Sequence, residues 1–272
     1  MATFPFAQID AFASQAFEGN QACVMPMDHF LPDATLQKIA AENNVAETAF
    51  IVPEGDGIWA LRWFTPAVEV PLCGHATLAT GHYLYTHGGF DGETITFRTR
   101  KSGELFVSRL ADGRLEMDFP AQPAHELEPN AEINAALGKA PTRVFSGPCY
   151  IAQYDTAAEI IALDPDLDRL KTLGTSDGDW GVGNFGCFAL DGDGVDVTSR
   201  FFAPGSGIPE DPATGSWHCL VSSLVAQLTG KTEIECFQAY PGRGARIQTR
   251  LEGDRVKLRG HSVTVIEGTF KL

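Results

Sequence analysis

The strongest constraint on the fold of this chain is a short cassette that occurs twice. Residues 62–77 read RWFTPAVEVPLCGHAT, and residues 200–214 read RFFAPGSGIPEDPAT. Each copy opens with arginine, an aromatic residue and phenylalanine, reaches proline two residues later, and ends in Ala-Thr. Because the copies lie about half a chain apart, they predict two domains built on one plan.

The similarity extends on both sides of the cassette. Residues 49–61 and 187–197 each contain a short apolar segment, an acidic glycine turn and a second short segment, which is the pattern of a β-hairpin. Downstream, a mostly apolar segment closed by glycine follows each copy, and predicts helices that begin near Thr77 and Thr214. Helices that are apolar on most of their surface are buried. The sequence therefore predicts an α+β fold of two pseudosymmetric lobes, each a set of antiparallel strands wrapped around one central helix.

The length of 272 residues is sufficient for two domains of ordinary size. Alternating apolar and polar residues, separated by glycine turns, predict further strands in both halves. The proline-rich polar segment 120–129 is the best candidate for a linker. We therefore expect a first lobe over 1–119, a second lobe over 130–260, and a C-terminal strand over 261–272 that rejoins the first lobe.

Two amphipathic helices are predicted outside the cassettes. One covers residues 33–43, with Asp33 as its N-cap, and the other lies near 156–173. The segment GVGNFG at 181–186 has the spacing of a dinucleotide-binding fingerprint, but it follows a polar glycine loop and precedes a predicted strand. Such a fingerprint must follow a strand and open a helix, so a turn is the better interpretation.

Charge and composition exclude several classes of function. The formal net charge is −15, so the surface is poorly suited to nucleic acid or to anionic membranes. With 44% hydrophobic residues the chain can build a substantial core. If the substrate is an anion, local dipoles and a few hydrogen-bond donors must hold it, because no basic field is available.

The six cysteines are scattered, and none forms a Cys-x-x-Cys pair. A zinc or redox site therefore has little support from the sequence, and we expect neither a metal nor an organic cofactor. The N-terminal residues lack a secretory pattern, and no apolar run reaches the roughly 18 residues that a membrane span needs. The sequence predicts a cytoplasmic protein with reduced thiols, and leaves a homodimer open.

The ends of the two cassettes are candidate anion sites. A helix N-terminus presents unpaired N–H groups and the positive end of the helix dipole, and an adjacent glycine lets a ligand approach the backbone. Gly74 in the first copy, and Thr214 and Gly215 in the second, stand at such positions. We expect the two helix starts to face one cleft and to bind a small anionic metabolite, whose carboxylate they would hold.

Four segments carry a resemblance to a known family. They are QIDAFASQAFEGN (8–20), NNVAETAF (43–50), PLCGHATLA (71–79) and EDPATGS (210–216). In order and spacing they resemble the phenazine-biosynthesis isomerase (PhzF-like) family over nearly the whole chain. The resemblance implies the fold of diaminopimelate epimerase, in which each lobe is a β-barrel around a central helix and the active site lies between the lobes.

The resemblance also implies roles for individual residues. Glu47 of the NVAET segment matches the acid/base carboxylate of the isomerases, and His75, Asp211 and Ser216 match their histidine, aspartate and serine. Asn20 is expected to line the cleft rather than to hold a turn. If Glu47 is catalytic, burial is expected to raise its pKa toward the range useful for proton transfer.

Three alternatives remain open from the residues themselves. Cys73 is either a packed thiol or the base of a two-base racemase, although Pro212 stands where the epimerases have their second cysteine. Asp211 is either a site residue or an N-cap. The whole chain is either an isomerase that moves a proton on a small carboxylate-bearing metabolite, or a non-catalytic binding or interaction module that retains the cleft.

Overall fold

The computed structural model describes residues 2–175 and 180–272, and it is an α+β protein with extensive mixed β-sheet and few helices. The chain forms two compact units. The first unit contains the chain up to Asp118 together with Arg259–Leu272, and the second contains Phe119–Leu258. No helix within the described ranges is long and apolar enough to cross a membrane.

The described residues form seventeen strands, six α-helices and one 3₁₀ turn at Pro204–Ser206. In chain order they are β1 (Thr3–Ala11), β2 (Asn20–Pro26), α1 (Asp33–Asn43), β3 (Glu47–Gly55), β4 (Ile58–Phe64), β5 (Glu69–Val70), α2 (Gly74–Thr86), β6 (Thr94–Thr99), β7 (Glu104–Arg109), β8 (Leu115–Pro120), β9 (His125–Leu127), α3 (Ala131–Ala136), β10 (Arg143–Ser146), β11 (Tyr150–Tyr154), α4 (Ala157–Ile161), α5 (Leu167–Leu170), β12 (Phe185–Ala189), β13 (Val197–Phe202), α6 (Gly215–Thr229), β14 (Glu233–Gln238), β15 (Ala245–Glu252), β16 (Arg255–Gly260) and β17 (Ser262–Lys271).

In the first unit, the strands pair in an order set by two helical crossovers. Strand β1 pairs antiparallel with both β17 and β2. Strands β2 and β3 are parallel and are joined through α1, whereas β3 and β4 are antiparallel. Strands β4 and β6 are again parallel, with α2 between them in sequence, and β6, β7 and β8 continue antiparallel. Helix α2 packs against β1, β2, β3 and β7, so it is the central helix of this unit.

The second unit repeats this plan. Strands β10 and β11 are antiparallel, β11 and β12 are parallel across α4 and α5, and β12 and β13 are antiparallel. Strands β13 and β14 are parallel across α6, and β14 and β15 are antiparallel. The prediction of purely antiparallel lobes was therefore wrong. Each unit contains two parallel pairs, because a helical crossover returns the chain to a neighbouring strand in the same direction.

The two central helices begin at equivalent points, but not where the repeated Ala-Thr suggested. Helix α2 begins at Gly74, three residues before the predicted start at Thr77, whereas α6 begins at Gly215, next to its predicted start. The Ala-Thr pair therefore lies inside the first helix and directly before the second. The two Ala-Thr pairs are therefore identical in sequence but do not occupy equivalent positions in the structure.

Alignment by the helix starts places Cys73 opposite Thr214, since both are extended N-cap residues. A shared contact supports this alignment. The Thr77 hydroxyl donates to the carbonyl of Cys73 at 2.6 Å, and four residues after the other cap the Nδ1 of His218 lies 2.8 Å from the carbonyl of Thr214. Both helices thus close their first turn with a side chain on the cap carbonyl.

Tight packing positions both central helices. A Cβ added to Gly81 in α2 would lie 2.7 Å from a methyl carbon of Val107, and one added to Gly186 in β12 would lie 2.1 Å from the ring of Trp217 in α6. Real Cβ contacts are never this short, so each helix sits directly on its sheet only because glycine is present. Trp217 is fully buried in the core that surrounds α6.

The helix predicted near 156–173 is instead two short helices, α4 and α5. Thr156 and Glu159 form a capping box that starts α4. Pro165 then follows the end of α4 and cannot continue a helix, because it lacks the N–H donor and its ring clashes with the preceding turn. Asp166 starts α5 by accepting a hydrogen bond from the backbone of Arg169.

Helix α1 has the predicted bounds, 33–43, but Asp33 is its first helical residue rather than its N-cap. Pro32 occupies the cap position, and no side-chain cap bond is made there. The Asp33 carboxylate instead lies 2.9 Å from the guanidinium of Arg62. The side chain of Asp33 therefore forms an ion pair with a residue distant in sequence and does not cap the helix.

Residues 120–129, predicted as a linker, contain strand β9, which pairs antiparallel with β10 in the second unit. At the other end of the chain, β17 pairs with β1 from Ser262 opposite Ala11 to Lys271 opposite Thr3. The first part of the glycine segment 181–186 is a turn, as predicted, with left-handed Gly181 and Gly183, and its last two residues begin β12.

Candidate active site

In the first unit, strands β2 and β3 and helix α2 bring ionisable side chains together at the start of α2. Strands β2 and β3 are parallel, and Ala22 pairs with Glu47, so the beginnings of both strands lie at the same edge. Helix α2 packs against both strands, and Cys73 and His75 flank its first residue. The crossover topology thus places side chains distant in sequence within contact of each other.

Glu47 and His75 form a close ionic contact. The Nε2 atom of His75 lies 2.9 Å from Oε2 of Glu47, and the two side chains are 7% and 16% exposed. At this distance and degree of burial, the protonation of one group strongly affects that of the other.

The pKa of Glu47 is lowered, contrary to the expectation from the sequence. Burial alone would raise the pKa, but the charge of His75 and the contacts with His75 and Cys73 outweigh burial. For His75, burial alone would lower the pKa, but its interactions with Cys73 and Glu47 raise it well above the usual value. Both shifts favour a carboxylate on Glu47 and an imidazolium on His75.

Asn20 lies against the other side of the imidazole. Its Nδ2 is 3.2 Å from Nδ1 of His75, and the side chain is 1% exposed. An amide can present either its oxygen or its nitrogen after a half-turn, so Asn20 can pair with both protonation forms of His75. The structure thus places this predicted substrate-binding residue on the histidine.

Cys73 completes the cluster. Its Sγ atom lies 3.5 Å from Nδ1 and 3.9 Å from Nε2 of His75. Burial, followed by the charge of Glu47, raises the pKa of the Cys73 thiol to about 11, although His75 acts in the opposite direction. The thiol form therefore predominates at neutral pH, which favours the interpretation of Cys73 as a packed residue over a resting thiolate.

The other predicted site residues lie in the second unit, at the start of α6. Thr214 is the N-cap residue, Gly215 is the first helical residue, and Ser216 follows it with an exposed side chain. Asp211 is not the N-cap, so that alternative was wrong. Its Oδ2 accepts a hydrogen bond from the hydroxyl of Thr214 at 2.6 Å.

Gln238, which sequence reasoning did not select, organises this helix start. It is fully buried at the end of β14, and its Oε1 accepts a hydrogen bond from the backbone N–H of Thr214 at 2.8 Å. Its Nε2 donates to the carbonyl of Asp211 at 2.6 Å and lies 3.1 Å from the Thr214 hydroxyl. A glutamine at the buried end of a strand is the signal that would have found it, since such an amide must be hydrogen-bonded.

An arginine–glutamate pair holds the segment before each helix start. The guanidinium of Arg62 is bidentate to Glu69, with both contacts at 2.8 Å. Arg200 binds Glu210 in the same way, at 2.8 and 2.7 Å. Each guanidinium also lies over the ring of the phenylalanine two residues later, 5.0 and 4.7 Å from its centroid. Glu210 is therefore the counterpart of Glu69, and both are structural.

With this geometry established, the family can be identified. The family model described as phenazine biosynthesis-like protein (PhzC-PhzF) matches residues 9–268. This chain belongs to that family. An uncharacterized isomerase of Pseudomonas aeruginosa is 42% identical over 269 residues, which cover 98% of each chain.

Solved structures extend the likeness to the fold. A PhzF-family phenazine biosynthesis protein of Enterococcus faecalis is 33% identical, with a TM-score of 0.93 and 100% coverage of both chains. A probable proline racemase of Agrobacterium radiobacter, solved with bound carbonate, is 12% identical, with a TM-score of 0.61 over 99% of this chain and 92% of its own. This second likeness concerns the fold alone.

Proposed function

We propose that this member of the phenazine biosynthesis-like family is an isomerase that moves a proton on a small carboxylate-bearing metabolite without a resident cofactor. The observation that carries the proposal is the contact between Glu47 and His75 at the start of a buried helix. Relatives named as isomerases, among them the Pseudomonas aeruginosa protein, support the same reaction class.

The first step follows from the resting charges. Glu47 is ionised and so can accept a proton from a substrate carbon, whose C–H bond breaks while the electron pair moves into the adjacent unsaturated group of the substrate. Glu47, now a neutral acid, returns the proton to a different carbon. The imidazolium of His75 stabilises the negative charge, first on Glu47 and then on the substrate.

We place substrate binding at the helix starts. The first turn of α2 has backbone N–H groups without partners within the helix, and Gly74 leaves them accessible to a carboxylate. The family resemblance implies that Asp211 and Ser216 take part in the reaction, and the helix-start argument implies that Thr214 and Gly215 bind substrate. We retain both assignments as part of the proposal. We likewise retain the closure of each unit as a barrel around its central helix.

The rival function is a two-base racemase that uses Cys73. Two observations weigh against it. The residue aligned with Cys73 in the second unit is Thr214, which carries no thiol, and the raised pKa of Cys73 disfavours its thiolate. A non-catalytic module would retain the clefts and their hydrogen bonds but would not exchange substrate protons.

The test is deuterium incorporation from D₂O into candidate small carboxylates, measured by mass spectrometry. We expect the wild-type protein to label at least one unsaturated or hydroxylated carboxylate at carbon. A protein that binds such ligands, as shown by a rise in the thermal midpoint, but never labels them would be the non-catalytic module.

A further inference from the structure

We propose that Glu47, Cys73 and His75 form a three-ligand site for Zn²⁺, and that the metal acts there as an inhibitor rather than as a resident cofactor. The cysteine pattern gave no hint of this site, because its ligands come from β3 and from the start of α2. Metal binding follows from the geometry alone, whereas inhibition also rests on the proposed function of Glu47.

The separations of the donor atoms fit a tetrahedral ion. One donor atom from each of the three side chains lies within 4.8 Å of the other two. Nε2 of His75 is 2.9 Å from Oε2 of Glu47 and 3.9 Å from Sγ of Cys73. Zinc bonds of about 2.0–2.3 Å to nitrogen, oxygen and sulfur put tetrahedral ligand pairs roughly 3.3–3.7 Å apart. These two separations bracket that range, and the donor atoms of Glu47 and Cys73 lie within 4.8 Å of each other, so side-chain rotations can bring all three donors onto one ion.

The donor set selects zinc over the hard cations. Thiolate, imidazole and carboxylate are all zinc ligands, whereas Mg²⁺ and Ca²⁺ prefer oxygen alone. Three protein ligands leave a fourth position for water or for a substrate carboxylate. The cluster is also largely buried, with Cys73 at 7% and His75 at 6% exposure, so the ligands are held by the fold.

Asn20 supplies the outer hydrogen bond that a ligating histidine usually has. When Nε2 of His75 binds the metal, Nδ1 keeps its proton and needs an acceptor. The Asn20 amide lies 3.2 Å from Nδ1, and after a half-turn it offers its oxygen. The tautomer that zinc requires is therefore already supported.

The proton balance of binding is defined. From the thiol, imidazolium and carboxylate, Zn²⁺ displaces the Sγ proton of Cys73 and the Nε2 proton of His75, and both protons pass to solvent. No oxidation or reduction takes place. In the metal complex the carboxylate of Glu47 is a ligand, so it can no longer accept a substrate proton, and exchange stops.

Titration of the full-length protein with Co²⁺ tests binding without reference to activity. We expect one equivalent of Co²⁺ to give tetrahedral ligand-field bands and a thiolate-to-cobalt charge-transfer band, and Zn²⁺ to abolish both. Cys73→Ser is expected to remove the charge-transfer band. Cys23→Ser, a change at a buried cysteine of β2 in the same unit, is expected to retain it.

Glu47→Gln provides a second variant in case Cys73→Ser folds poorly. It is expected to retain the charge-transfer band but to weaken Co²⁺ binding by at least about tenfold, since a charged ligand is lost. Absence of the band in wild-type protein, or its persistence in a folded Cys73→Ser protein, would overturn the site. If the band forms but deuterium exchange continues at saturating Zn²⁺, inhibition is refuted. Metal-free protein that labels no carboxylate refutes the isomerase proposal instead, independently of the spectra.

Discussion

The two units place different chemistry on one backbone plan. Phe64 and Phe202 each follow the buried arginine of their unit by two residues. Phe64 pairs with Thr48 in the first unit, and Phe202 pairs with Phe185 in the second. The residue before Thr48 is Glu47, and the residue before Phe185 is Asn184. The position of Glu47, the proposed proton carrier of the first unit, therefore holds a neutral amide in the second.

The same replacement occurs at the helix starts. Cys73 and His75 in the first unit align with Thr214 and Ser216 in the second. The first unit thus presents a carboxylate, an imidazole and a thiol, whereas the second presents an amide and two hydroxyls, together with the carboxylate of Asp211. Both copies retain the elements that shape the helix starts, including the arginine–glutamate pairs. Among the residues that the structure describes, the cluster of Glu47, Cys73 and His75 belongs to the first copy alone.

The largest expected effect is the loss of turnover when the carboxylate of Glu47 is removed. Glu47→Gln keeps the size of the side chain but removes its basicity, so turnover should fall by about 10²–10⁴-fold. Steady-state rates measure the effect. Glu42→Gln, at an exposed position of α1, is the matched control and should leave turnover unchanged. Equal loss in both variants would mean that the position of Glu47 has no special chemistry.

The arginine–glutamate pairs should differ in strength. Arg200→Met leaves Glu210, only 9% exposed, without its partner, and should lower the free energy of unfolding by about 3–5 kcal/mol. Arg62→Met should cost less, about 1–3 kcal/mol, because Glu69 is 30% exposed and also lies 3.4 Å from Arg100. Urea unfolding of both variants gives the comparison, and the reverse order would show that burial of the glutamate does not set the cost.

His218 in the second unit should contribute to acid sensitivity. Burial lowers the pKa of His218 to about 4, although its backbone contact acts in the opposite direction, and the aligned residue in α2 is the non-titrating Thr77. Since the unfolded state binds the proton first, this term is constant above the ordinary pKa of about 6.5 and is lost as pH falls to about 4. The expected loss is up to about 3 kcal/mol.

His218→Thr replaces the histidine with the residue type found at the aligned position of the first unit, Thr77. It should flatten the dependence of unfolding free energy on pH between 6.5 and 4, as measured by urea unfolding at several pH values. Some slope should remain from His82, whose pKa is also lowered to about 4, by burial and by the charge of His87. An unchanged slope in His218→Thr would contradict the assignment.

The sequence predicted the repeat, the α+β class and the start of α6, because apolar periodicity and turn residues act locally. It misplaced the start of α2 by three residues, because two Ala-Thr pairs happened to match while Cys73 and Thr214 occupy the same structural position. The helix near 156–173 was overextended because its periodicity continued through Pro165. Local patterns therefore established which elements exist better than where they begin and end.

The candidate site was only partly predictable. Glu47 and His75 were selected separately through the family resemblance, but their contact depends on the crossover that brings β3 to α2, and no local pattern encodes it. That contact reverses the expected shift in the pKa of Glu47. The roles of Gln238 and Glu69 were missed for the same reason, since both act through partners elsewhere in the chain.

The most direct test of the central claim is which residue carries the substrate proton. Single-turnover reactions in D₂O, followed by mass spectrometry, should compare wild-type protein with Glu47→Gln and Cys73→Ala. We predict that Glu47→Gln incorporates no deuterium although it still binds substrate, and that Cys73→Ala labels substrate within about tenfold of the wild-type rate. Normal labelling by Glu47→Gln together with none by Cys73→Ala would contradict this account and make the thiol the proton carrier.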